Sequence, residues 1–237
     1  MPDGQVIVTG ASRGLGAACA ADLAERGFDV VGFSRTGQST VGRGVSCDVG
    51  DESALVAAIA DVAAAGPIRG IVNNAGLHSG QVSSHELTVA DYEFIQRTNA
   101  TSAMVACREV YPHLVANGGG MIINMGSMFD KVGVPRNLAY TVSKAALGAL
   151  TRVLAVEWAR DEITVLNVAP GYVETNLAPD FWDDERSAKW IRRQVPVGRP
   201  GTSEEVGRLV GALFQERIHF MTGETIYIDG AHGINHG

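Results

Sequence analysis

Short runs of apolar, β-branched residues alternate along this chain with longer stretches whose apolar positions recur every three or four residues. Gln5–Val8 is the first such run. A glycine-rich turn follows it, and Ala17–Arg26 then reads as a helix ended by Gly27. Asp29–Phe33 and Gly44–Cys47 are the next two strand candidates, and Glu52–Ala65 is a helix closed by Gly66-Pro67. Ile68–Val72 has the pattern of a buried strand, Thr88–Ala116 that of one long helix, and Met121–Met125 that of another buried strand. Tyr140–Arg160 is a long helix, and Ile163–Val168 a strand stopped by Pro170-Gly171. Glu204–Phe214 is helical and Glu224–Ile228 is the last strand.

Strands separated by helices imply right-handed crossovers and therefore a parallel sheet. The strands are apolar throughout instead of alternating, as expected where helices cover both faces. The pattern thus predicts an α/β fold: one doubly wound parallel sheet with helices on both faces. No repeat, low-complexity tract or linker divides residues 1–237, so a single domain is expected. One segment departs from the pattern. Glu174–Pro200 mixes prolines and charges with Phe181, Trp182 and Trp190. A connection of that length is expected to carry a helix of its own or to serve as a lid over a substrate.

Composition narrows the function classes. Hydrophobic residues make up 46% and charged residues 19%, with a formal net charge of −7. An acidic chain without a basic stripe argues against nucleic acid as a partner. The three cysteines, Cys19, Cys47 and Cys107, show no paired spacing, which suggests a reducing, cytoplasmic setting. No charged leader precedes a long apolar stretch, and no apolar run is long enough to span a membrane. The six histidines lack metal-ligand spacing, so no metal is expected.

The turn after the first strand reads Thr9-Gly10-Ala11-Ser12-Arg13-Gly14-Leu15-Gly16. Gly10 permits a tight turn, Gly14 allows backbone to approach a pyrophosphate, and Gly16 lets the helix pack on the strand. The helix N-terminus then offers free N–H groups and a positive dipole end to phosphates. The spacing is G-x-x-x-G-x-G, not G-x-G-x-x-G. Further motifs follow in order: Asp48-Val49, Asn73-Asn74-Ala75-Gly76, Asn99, then Ser127 thirteen residues before Tyr140, Tyr140-x-x-x-Lys144, and Pro170-Gly171-Tyr172-Val173-Glu174-Thr175. Together, over nearly the whole chain, they resemble the short-chain dehydrogenase/reductase family, a Rossmann-type fold. The tail (Pro196 to Pro200, Met221 to Thr225, Asp229-Gly230) is similar to the 3-oxoacyl-carrier-protein reductase-like branch.

The residues fit that chemistry. A carbonyl that gains a hydride must also gain a proton, and an ordinary phenol with a pKa near 10 parts with one reluctantly at neutral pH. A cation one helical turn away, as Lys144 is from Tyr140, is expected to favour the phenolate. The resemblance implies that Tyr140 is the proton donor and acceptor and that Ser127 holds the carbonyl oxygen. It implies that Lys144 binds the nicotinamide ribose and lowers the Tyr140 pKa. It also implies that Asn99 shapes a local helix distortion and positions a water. Cofactor-binding residues by the same resemblance are Gly10, Ser12, Arg13, Gly14, Leu15, Gly16, Ser34, Arg35, Asp48, Val49, Asn74, Ala75, Gly76, Tyr140, Lys144, Pro170, Gly171, Val173 and Thr175.

The end of the second strand bears on which nicotinamide binds. Val31 to Thr36 lacks the carboxylate that binds a 2′-hydroxyl, and Arg35 and Arg13 stand ready for a 2′-phosphate. Each charged hydrogen bond there is worth roughly 1.5–3 kcal/mol. NADP(H) is therefore preferred, with NAD(H) as the alternative. The substrate is a small-molecule carbonyl compound or alcohol. The resemblance implies basic residues at two places that hold an acidic carrier protein; here those places read Asn117-Gly118-Gly119-Gly120 and Arg160-Asp161-Glu162, and a chain acidic on balance would repel such a carrier. A 3-oxoacyl-thioester reductase proper, or a regulator that senses the dinucleotide without chemistry, are the alternatives. The resemblance also implies a homotetramer, or a homodimer, built on the two long helices, with Ala145, Ala146, Gly148 and Ala149 allowing close contact.

Overall fold

A computed structural model describes residues 4–78, 80–175 and 184–235. Within it, seven strands form one sheet: β1 (Gln5–Thr9), β2 (Asp29–Ser34), β3 (Arg43–Ser46), β4 (Ile68–Asn73), β5 (Gly120–Met125), β6 (Ile163–Pro170) and β7 (Thr225–Ile228). All pairings are parallel, and the spatial order is β3-β2-β1-β4-β5-β6-β7. The chain leaves β1 towards one edge and returns at β4 towards the other. The crevice between the carboxyl ends of β1 and β4 is thus the topological switch point, where open α/β sheets bind ligands.

The helices are α1 (Gly14–Glu25), α2 (Glu52–Ala65), α3 (Val89–Gln96), α4 (Ser102–Ala116), α5 (Leu138–Trp158), α6 (Glu185–Gln194) and α7 (Ser203–Glu216). Successive side chains on a strand point to opposite faces, and β1 separates its neighbours accordingly. Ile7 packs in a core with Leu55, Ile59 and Val62 of α2, Val110 and Leu114 of α4, and Ala155 of α5. Val6 and Val8 pack in a second core with Cys19 and Leu23 of α1 and Val206, Val210 and Phe214 of α7. Both faces are dry, which is why the central strands are apolar at every position.

The helix ends follow local chemistry. Asp51 caps α2 by accepting from the Ala54 N–H, Thr88 caps α3 at Asp91, and Thr202 with Glu205 forms a reciprocal capping box on α7. Three elements differ from the sequence expectation. α1 begins at Gly14, three residues before the apolar period, because its first turn contains glycines that packing, not propensity, holds in helix. The expected single helix Thr88–Ala116 is interrupted at Arg97–Thr101 by a π-helical turn, in which Ser102 N–H bonds the Arg97 carbonyl. Of the segment Glu174–Pro200, residues 176–183, with Phe181 and Trp182, lie outside the described residues. The remainder contains α6, which carries Trp190.

Polar groups also cross the core. The Asn73 Nδ2 donates to Asn124 Oδ1 at 2.9 Å, and Asn124 Nδ2 donates to Thr151 Oγ1 at 2.9 Å. This fully buried relay ties β4, β5 and α5 in one register. Replacing its middle member strands two partners away from water. Asn124→Leu should therefore lower unfolding free energy by roughly 2–4 kcal/mol in urea titration, and a loss below about 1 kcal/mol would contradict this role.

Candidate active site

The segments that leave the carboxyl ends of β1 to β6 converge on a cavity of about 480 Å³. That volume lies in the range of small-molecule sites. Its floor is the glycine turn. Gly10 has φ +70°, and a Cβ there would come within 2.9 Å of Asn74 Nδ2. A Cβ on Gly16 would collide with Gly10 O and Asn74 Nδ2. The turn is held against β4 from both sides. Thr9 Oγ1 accepts from Asn74 N–H at 3.0 Å and Ala75 N–H at 2.9 Å, while Asn74 Nδ2 donates to Thr9 O at 2.9 Å. The N-terminal turn of α1 therefore opens into the cavity with Gly14 and Leu15 on its wall.

Ser12, Arg13, Ser34, Arg35, Asp48 and Val49 line one end of the cavity. Arg13 and Arg35 are exposed and make no ion pair among the described residues. Ser34 is less available, since its Oγ donates to Gln38 O at 2.7 Å. Ala75, Gly76, Pro170, Gly171, Val173 and Thr175 line the rest, with Ser127, Tyr140 and Lys144 at the far end. Gly16 and Asn99 stand behind the wall. The first excludes a side chain, and the second is buried.

Lys144 is almost completely buried, and its Nζ donates to Met125 O, the last carbonyl of β5, at 2.7 Å. The same ammonium lies 5.5 Å from the centre of the Tyr140 ring. Ser127 caps a short turn after β5, accepting from Phe129 N–H at 3.3 Å. Asn99 sits inside the π turn. Its Oδ1 accepts from Leu77 N–H at 2.8 Å, and its Nδ2 donates to Leu77 O at 2.9 Å and Ser143 Oγ at 3.0 Å. Ser143 Oγ in turn donates to Tyr140 O at 2.7 Å. Asn99 thus braces the loop after β4 against the first turn of α5, and Gly76 leaves room for Asn99 Oδ1 and Lys144 Nζ on either side.

The electrostatics differ from expectation in one respect. Burial raises the Tyr140 phenol above the ordinary tyrosine value of 10, and the Ser127 hydroxyl opposes this in part. Burial also lowers Lys144 from 10.5 to about 8. The phenol is thus raised by desolvation, against the expectation that its lysine would lower it. At pH 7 the pair is a neutral phenol beside a charged ammonium, which is the form that donates a proton. Burial likewise lowers the His78 imidazole, with Asn137 acting in the opposite sense.

Several cavity residues escaped the sequence reading: Gly50, Asp51, Leu77, Phe94, Arg97 and Thr98. The last two directly precede Asn99 in the π-helical turn, which helical periodicity does not reveal. Cys107 does pack inside, fully buried, near Asn73 Nδ2 at 3.4 Å. Burial pushes Cys107 and Cys19 up to about 12 and Cys47 to about 11, so none is a nucleophile at neutral pH. Among the described residues no cluster of His, Cys, Asp or Glu is placed to hold a metal, and no helix is long and apolar enough to cross a membrane.

A family model described as enoyl-(acyl carrier protein) reductase matches residues 10–232. The chain is 35% identical over 239 residues to the cis-4-hydroxycyclohexanecarboxylate dehydrogenase of Sinomonas cyclohexanicum, covering 95% of each chain. It is 32% identical over 234 residues to the 3-oxoacyl-acyl-carrier-protein reductase of Escherichia coli strain K12, covering 94% of this chain and 95% of that one. The crystal structure of a gluconate 5-dehydrogenase from Burkholderia cenocepacia J2315, in complex with NADP and tartrate, superposes with a TM-score of 0.92 at 28% identity, covering 99% of this chain and 97% of that one.

The buried ammonium yields a stability prediction. Below about pH 8 the folded protein holds a charge that the unfolded chain solvates freely, which penalises folding. Between about pH 8 and 10.5 the unfolded state binds more protons, so stability should rise with pH across that window. Lys144→Met should be roughly 1–3 kcal/mol more stable than wild type at pH 7, with the gap closing towards pH 10. A less stable variant in urea unfolding at pH 7 would refute this.

Proposed function

The chain belongs to the short-chain dehydrogenase/reductase family, and on that footing we propose that it interconverts a carbonyl compound and a secondary alcohol with NADP(H), with Tyr140 as general acid and base. That it is an oxidoreductase of alcohol and carbonyl groups follows from its relatives. The observation that carries the finer reading is the placement of Tyr140, Ser127 and Lys144 on the wall of the same cavity that the α1 N-terminus enters.

The residues present fit the dinucleotide. The glycine turn leaves room for a pyrophosphate beside free N–H groups, and two unpaired guanidinium groups flank the end of β2 where a 2′-phosphate would lie. When bound, NADP(H) supplies or accepts the hydride. Tyr140 gives its proton to the carbonyl oxygen as the carbon is reduced, and takes it back from the alcohol in oxidation. Ser127 donates a hydrogen bond to the same oxygen and holds it beside the phenol. Lys144 spends one of its three N–H groups on Met125 O, which leaves two for the ribose hydroxyls. Its charge stabilises the phenolate as it forms. Asn99 positions Tyr140 and Leu77 through its three bonds, and Val173 and Thr175 border the carboxamide end.

The substrate is a small molecule. The net charge of −7 would repel an acidic carrier protein, and at the end of α5 the exposed Arg160 is offset by Asp161 and Glu162. The three buried, unpaired thiols fit a reducing cytoplasm. Self-association through α4 and α5 fits the exposed Met104, Val115, Val153 and Val156, the last 82% exposed. Gly148 is corrected here: it is buried against the protein's own Asn167 and Arg152, so it offers no surface to a second copy. Ala145 and Ala149 remain on the outer face.

Turnover is read as nicotinamide absorbance against a panel of ketones and alcohols. Tyr140→Phe should lose about 10²–10⁴-fold in kcat while still binding NADPH in calorimetry. Arg35→Asp should weaken NADPH binding about tenfold or more and favour NADH. Equal efficiency of wild type with NADH and NADPH would sink the cofactor assignment. Activity retained in Tyr140→Phe would sink the catalytic one.

The assembly has its own check. Light scattering after size exclusion should give a mass of four or two chains for wild type. Val156→Asp should shift it towards smaller species. A wild-type monomer would contradict the helix-face interface.

A further inference from the structure

Six rings stand in unbroken contact at the carboxyl edge of the sheet, each brought there by a different segment. His78 follows β4 and lies 5.0 Å from the Tyr140 ring; Phe129 follows β5 and meets the same ring edge-on at 5.7 Å. Phe129 contacts Tyr172, after β6, at 6.2 Å. Tyr172 then meets Trp190 of α6 at 5.2 Å and His232 of the C-terminal turn at 5.5 Å, both near perpendicular. Trp190 and His232 close the group at 6.0 Å. His232 is anchored by its Nδ1, which donates to Gln194 O at 3.2 Å.

This row is no ordinary piece of core. Core rings such as Phe33 are fully buried, whereas Trp190 is 40% exposed, His78 is exposed and Phe129, Tyr172 and His232 are partly so. Four of the six contacts are edge-to-face and two are tilted, and the row begins at Tyr140 on the cavity wall. Past Tyr140, the row carries ring carbons, two imidazoles, one phenol and one indole N–H. It has no guanidinium or ammonium of its own to meet a phosphate or carboxylate, and it lacks the dense set of hydrogen-bonding groups that an open-chain polyol needs. What it offers is flat apolar area, which C–H groups and ring faces fill best.

We propose that this aromatic wall seats the ring of a carbocyclic ketone or its secondary alcohol, with the reacting oxygen at Tyr140 and the ring carbons against Phe129, Tyr172 and Trp190. The proposal rests on the reading of Tyr140 as proton donor. His232, held by Gln194, acts as a positioning residue that backs Tyr172 and Trp190. The wall thereby makes the sequence-distant α6 and C-terminal turn determinants of substrate choice.

The test compares cyclohexanone with hexan-2-one on the full-length enzyme with NADPH. Wild type should show a kcat/KM ratio of about tenfold or more in favour of the ring. Trp190→Ala and Tyr172→Ala should bring that ratio close to one, mainly through KM, with NADPH affinity unchanged, and Trp190→Phe should keep most of it. Calorimetry of the dead-end complex with NADP⁺ reads ring preference without turnover. Preferential binding of cyclohexanone without its reduction would uphold the wall and overturn the catalytic reading. Turnover of both ketones with equal kcat/KM, or an equal loss on both in Trp190→Ala, would overturn the wall and leave the catalytic reading standing.

Discussion

A single buried ammonium organises this protein. Lys144 Nζ reaches from α5 to the last carbonyl of β5, and that bond sets where the helix lies against the carboxyl edge of the sheet. One turn earlier on the same helix, Tyr140 is then placed at the cavity wall. Burying the charge works against folding, as its low pKa records. The two apolar cores on either side of the sheet supply the surplus that tolerates it. Stability is given up at the cavity wall, where the cation is held dry, and it is recovered far from that place.

The rest of the site is a set of braces around the same point. The π turn displaces Asn99 inward, and its amide then fixes Leu77 on one side and Ser143 on the other. Thr9 and Asn74 clasp the glycine turn to β4 across the switch point. The buried relay from Asn73 through Asn124 to Thr151 keeps β4, β5 and α5 in step. These braces use polar side chains at the strand ends and on the helices beside them, so geometry in the cavity is tied to the register of the sheet. The aromatic wall extends this scheme outward. It joins the segments after β4, β5 and β6, and then α6 and the C-terminal turn, in one row of rings that starts at Tyr140 on the cavity wall.

Much of this was legible in the chain itself because periodicity and motif order survive without coordinates. Glu52–Ala65 is helical over the expected residues, and the strands differ by one or two residues at their ends. All but Gly16 and Asn99 of the expected site residues line one cavity. The interruption at Arg97–Thr101 was invisible to helical periodicity, since an i→i+5 turn changes the phase by one residue without any proline or glycine to announce it. Arg97 and Thr98, which lie in that turn, line the cavity. Gly148 looked available for a helix contact because small residues are silent about which way they face.

The amino-acid sequence by itself settled the alternation of strand and helix, the doubly wound sheet and the position of the glycine turn after the first strand. Those depend on side-chain patterns and backbone allowances that are local. Tertiary structure alone decided the ionisation balance of Tyr140 and Lys144, because desolvation comes from residues distant in the chain that close around them. It also decided that His78, Phe129, Tyr172, Trp190 and His232 form one surface with Tyr140. No spacing rule joins residues 78 and 232; only the folding of a parallel sheet brings the ends of its strands to a common edge.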